Sequence, residues 1–106
     1  MSDAPALDKI SAESFREQLN KPFSLKVQDG TVDLELREVR SLGGDTPRED
    51  KSPFSVLFRG PSDFVFEQQI VELENDGMGN LALFVVPLGP DLDDKEKRML
   101  YEAVFT

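Results

Sequence analysis

The residues best suited by type to chemistry are four acids crowded near the end of the chain, Asp91, Asp93, Asp94 and Glu96. Carboxylates gathered this closely are what a hard cation such as calcium requires, with oxygens at about 2.4 Å. The spacing does not meet that requirement. Counted from Asp91, the position where a calcium loop needs its turn glycine is Glu96, and the place of the bidentate glutamate is Glu102, inside an expected strand. The four acids are therefore expected to form a solvated loop. Ser52, Ser55, Tyr101 and Arg59 are the residues that suggest nucleophilic or oxyanion chemistry. The chain has no histidine, so a serine would need a desolvated lysine or similar base, and no spacing marks one. Among 21 acidic residues some close pairs are inevitable, so paired carboxylates carry no signal for glycoside hydrolysis. Asp76-Gly77-Met78-Gly79 has the glycines of a phosphate cradle, but a strand follows it where a helix N-terminus is needed, and a hairpin turn is expected. No catalytic, cofactor-binding or metal-ligating residue is assigned, and no enzymatic activity is expected.

Composition narrows the partners. Cysteine is absent as well as histidine, which removes disulfides, thiol nucleophiles and the commonest zinc ligands. A net charge of -9 repels phosphate backbones and anionic membranes. The most basic stretch, residues 37–59, sets Arg37, Arg40, Arg48, Lys51 and Arg59 against Glu38, Asp45, Glu49 and Asp50, a mixed surface rather than a basic patch. No nucleic-acid partner is expected. The longest purely apolar run, residues 81–86, is far short of a membrane span, and the first residues carry no signal-like pattern, so no membrane association and a cytoplasmic location are expected.

The elements that must position these groups are mostly strands. Residues 1–10 read as a flexible lead-in, and residues 11–106 as a single domain, about the size that one core supports. Ser11 offers an N-cap, and Phe15 and Leu19 share a face, which predicts a helix over 12–19. From Phe23 the period changes to two. Phe23, Leu25 and Val27 alternate with polar residues, Asp29-Gly30 suits a type I′ turn, and Val32, Leu34 and Leu36 return. Val39 breaks that parity, and a bulge near Arg37-Glu38 would restore it. Residues 41–52 read as an exposed loop. Further strands are expected from Phe54 until Gly60-Pro61 stops the chain, over 69–74, over 81–86 and over 99–106, with a loop at 87–97 and Gly89-Pro90 as a second stop. The fold expected is mainly β, a six-stranded antiparallel small barrel or strongly bent sheet. One short N-terminal helix plugs an end or covers the second apolar face.

Three runs, Ser52-Pro53-Phe54-Ser55-Val56-Leu57-Phe58-Arg59-Gly60-Pro61, Leu83-Phe84-Val85-Val86-Pro87-Leu88-Gly89-Pro90 and Tyr101-Glu102-Ala103-Val104-Phe105, resemble a family of short bacterial β-rich domains of unknown function. The similarity extends over most of the chain from Phe15 onward. Members often carry Gly where Asn20 stands and end in Asn where Thr106 stands, so the sequence departs at both places. The resemblance implies no activity and no catalytic residue. Through members encoded beside phage-tail-like fibre proteins, it implies a structural or assembly accessory.

Two sets of residues are candidate partner contacts. Phe64 and Phe66, in a connection after the third strand, either fold over the barrel end or stay exposed. Leu57, Phe84, Val86, Leu100 and Val104 form an outer apolar row that one short helix is not long enough to cover. A non-enzymatic interaction or assembly module, binding a protein partner or its own copies, is the function expected. The alternative is a small-molecule-binding barrel with a ligand among Phe54, Phe58, Phe84 and Phe105, and no cofactor is expected in either case.

Overall fold

Ser11 opens the first element, its hydroxyl accepting the Ser14 amide at 3.2 Å. The computed structural model describes residues 11–41 and 53–105, so the lead-in at 1–10 and most of the loop expected at 41–52 lie outside the described residues. Helix α1, Ala12–Arg16, is shorter than the 12–19 predicted. Asn20 takes the left-handed conformation (φ 68°) and gives its amide to the Leu36 carbonyl at 2.8 Å, so the chain leaves the helical path to join the sheet.

Six strands follow: β1 Pro22–Val27, β2 Gly30–Ser41, β3 Phe54–Gly60, β4 Gln69–Asn75, β5 Gly79–Pro90 and β6 Met99–Phe105. All pairings are antiparallel, and they close a barrel in the order β1-β2-β3-β6-β5-β4. The strands and the barrel are as the alternation predicts.

Local details differ at three points. Val27 pairs with Gly30, so the first hairpin turns on Gln28-Asp29 and not on Asp29-Gly30. Neither turn residue has a positive φ, as a type I′ turn would demand of both; the unusual angle falls on Gly30 (φ 149°). Ser41 belongs to β2 and not to the loop after it. Strand β5 does not stop at residue 86: it continues through a register shift between Pro87 and Gly89 to Pro90, where Gly89 (φ 116°) absorbs the distortion. Gly89-Pro90 does stop β5, as expected, but only after the bulge that precedes it. Gly60 does end β3, for a steric reason as well, since a Cβ there would stand 2.7 Å from Leu34 Cδ2. The bulge expected in β2 is present, between Leu36 and Glu38, and it returns Val39 to the core side opposite Val56.

Aromatic rings fill much of the interior. Phe15, fully buried, plugs one end against Phe105, Phe54 and Phe23 at centroid distances of 5.5, 6.0 and 6.2 Å. Burying a side chain of this size contributes about 2 kcal/mol, which is why so short a helix keeps its place. Phe54 stacks on Phe105 at 4.7 Å, and Phe23 meets Phe58 edge-on at 5.2 Å.

Candidate interaction surface

Each expected contact residue can be placed on this barrel. Phe64 and Phe66 fold back over the end away from Phe15. Phe66 lies flat on Tyr101, 4.2 Å between centroids and 6° from parallel, and Phe64 sits 6.3 Å from Phe66. The Tyr101 hydroxyl reaches the Phe64 carbonyl at 3.4 Å, and burial pushes the phenol pKa up. Both phenylalanines are half-buried lid residues, and Val65 between them is exposed.

The outer row divides. Leu57 points away from the core between Glu38 and Glu102 but is buried. Val86 and Leu100 are half-buried. Phe84 and Val104 are 54% and 52% exposed. Phe84 stands opposite Ile70 of β4, itself 69% exposed, which the sequence reading missed. The signal was there: with Val71 and Leu73 facing inward, Ile70 is an isoleucine at a solvent-side position of a half-buried strand. Val86 pairs with Glu102 at the end of the β5–β6 ladder, and Val104 lies beyond that ladder on the outer face of β6. Ile70, Phe84 and Val86 thus form a strip across the outer wall of β4 and β5, with Val104 on the same face of β6.

The groups considered for chemistry do not converge. Ser55 faces outward from β3 and Tyr101 inward from β6, on opposite sides of one sheet. Ser55 Oγ is buried and makes no hydrogen bond among the described residues, so none of them acts as a base to activate it. Ser52 lies outside the described residues. Phe84, on the outer wall, cannot share an interior site with Phe54, Phe58 and Phe105.

The acidic loop is not the solvated run expected. Asp91 is buried, and Asp94 is tied into the same ionic network on the outer wall. Asp91 Oδ2 accepts from Arg37 Nε at 3.3 Å and Arg59 Nη1 at 3.4 Å, while Arg59 Nη2 donates to Glu35 Oε1 at 2.7 Å. Arg98 grips Asp94 with Nη2 and Nε at 2.8 and 3.0 Å and adds its backbone amide at 3.0 Å. Burial alone would raise the Asp91 pKa, but the Asp93 amide with Arg37 and Arg59 outweighs it, and the carboxyl ends below its ordinary range. The Arg98 guanidinium and amide hold Asp94 well below the usual carboxylate range, and Asp94 in turn raises Arg98. Every acid of this network faces an arginine, a structural clasp that pins residues 91–98 to β2 and β3. Asp93 and Glu96 remain exposed, and among the described residues no group of three or more acids, histidines or cysteines is arranged to hold a metal ion. No helix among them is long and apolar enough to cross a membrane.

A small closed antiparallel barrel, plugged by one helical turn and bearing an apolar strip on its outside, is the class of domain that these features define. The chain belongs to the DUF6916 family, a domain of unknown function, whose pattern matches residues 10–105. No curated protein and no solved structure matches it.

Proposed function

We propose that this domain is a non-enzymatic interaction module that docks a protein through the outer wall of β4, β5 and β6. The observation that carries this function is the exposed cross-strand pair of Ile70 and Phe84, extended by Val86 and Val104. Leaving a side chain of this size in water forgoes about 1.5–3 kcal/mol of burial, and a contiguous exposed group of them is a recurrent mark of a contact surface. The -9 charge supports solubility while the strip is free. A ligand site inside the barrel has less support, because aromatic stacking occupies the space between Phe15, Phe23, Phe54, Phe58 and Phe105.

Capture of a partner from the protein's own cell extract, with light scattering of the purified chain beside it, tests the proposal. Wild-type protein is expected to retain a partner or to self-associate, and Phe84→Ser to lose that property while staying folded. An inert monomer that retains nothing would refute it. A place in a phage-tail-like assembly is one setting for such a module, and tail or baseplate genes flanking its own would support that setting.

A further inference from the structure

Strand β5 is paired unevenly. It pairs with β4 along Gly79 to Val85, whereas its ladder to β6 begins only at Val86, so among the described residues the backbone of residues 79–85 has a ladder partner on one side. Phe84 projects outward from this same segment, beside Ile70. The surroundings are acidic. Glu72 and Glu74 are exposed on the outer face of β4, and Glu102 stands beside Val86 on β6. Lys26, 4.0 Å from Glu72, and Arg40, which pairs with Glu38 at 2.8 Å and interacts with the Glu102 charge, are partial counterweights.

We propose that the partner of this wall, on the function given above, is an extended basic segment of another protein. It adds alongside β5 at residues 79–85, turns alternate apolar side chains inward beside Leu81, Leu83 and Val85, and on the outer face lays Lys or Arg stems over Phe84 with their charges toward Glu72, Glu74 and Glu102. Backbone groups without a ladder partner give an added strand its main-chain hydrogen bonds, and alternate apolar side chains give it register. Charge decides against a second copy of this chain, since each copy brings -9 to a face already rimmed with carboxylates.

The test uses the full chain and three synthetic peptides of about ten residues, the length of a long strand: Lys alternating with Val, Glu alternating with Val, and the Lys-Val composition reordered to a helical period. Fluorescence anisotropy reads binding, and amide hydrogen exchange reads its location. The alternating Lys-Val peptide is expected to bind at least about tenfold more tightly than either other peptide at low salt, and to weaken as salt screens the contact. It should slow exchange at the amides of residues 79–85 that point away from β4, and Phe84→Ser should weaken it. Equal binding of the Glu-Val or helical peptide, or binding that leaves residues 79–85 unprotected, overturns the proposal. If no peptide binds while extract capture still depends on Phe84, the extended basic partner is wrong and the interaction function stands. A dimer lost in Phe84→Ser also overturns this inference and leaves that function intact.

Discussion

Arg98 and Asp94 meet as a two-pronged pair, Nη2 to Oδ1 at 2.8 Å and Nε to Oδ2 at 3.0 Å, closing the loop between β5 and β6 upon itself. Arg59 brings the same carboxylate within 3.6 Å of β3, so the loop is fastened to the barrel wall as well. The strands on either side of that loop carry the proposed docking strip, and the clasp therefore governs how firmly that wall is held.

The clasp gives a pH dependence of definite sign. Asp91 and Asp94 have carboxyl groups below their ordinary value of 3.8, so the folded state prefers them ionised. Their stabilisation is complete above that value and is lost as pH falls through their lowered folded pKa values. Asp94→Asn is expected to lower the melting temperature at neutral pH. The gap between variant and wild type should narrow progressively below about pH 4, where unfolded carboxylates take up protons. Thermal melts of both proteins from pH 7 to acid check this; a gap that stayed constant or widened on acidification would show that the ion pairs do not supply the stability.

The lid at the other end of the barrel has its own test. Phe66 covers the Tyr101 ring, and Phe66→Ala is expected to destabilise the fold by about 2 kcal/mol, less than a fully buried phenylalanine would cost. Urea unfolding followed by tyrosine fluorescence should show an earlier midpoint with little change in slope. An unchanged midpoint would mean that the stacked pair contributes nothing to closure.

Ser55 makes the opposite prediction. Its hydroxyl is buried on the outer side of β3 without a hydrogen-bond partner among the described residues, an arrangement that costs desolvation and returns nothing. Ser55→Ala should be neutral or stabilising by up to about 1 kcal/mol. Loss of more than that in the same urea titration would reveal a partner for the hydroxyl.

Much of the barrel was legible because it rests on short-range pattern. Alternation from Phe23 onward marks inward and outward faces, and the parity break at Val39 betrays the β2 bulge without any knowledge of its partner strand. The end of α1 was not legible, because the Leu36 carbonyl that draws the Asn20 amide away lies on a different strand. Asn20 itself holds a left-handed conformation that glycine adopts freely and asparagine tolerates, so its residue type suits the position.

The candidate site divides in the same way. Phe84 and Val104 could be placed on the outer wall from parity alone. Ile70 was not legible as part of the site, because its partner Phe84 lies on another strand and only the β4–β5 pairing brings the two together. Asp91 and Asp94 looked like solvated acids because Arg37 and Arg59 come from strands far away in sequence, and only closure of the barrel brings them together.

The most direct test of the docking wall is hydroxyl-radical footprinting of side chains in the free protein and in the complex captured from extract. Leu92, at 75% exposure in the loop beyond β5, lies off the strip and serves as the internal control. The account predicts that Ile70, Phe84 and Val104 lose reactivity in the complex while Leu92 keeps its own. Protection of Leu92 with Phe84 still fully reactive would contradict it.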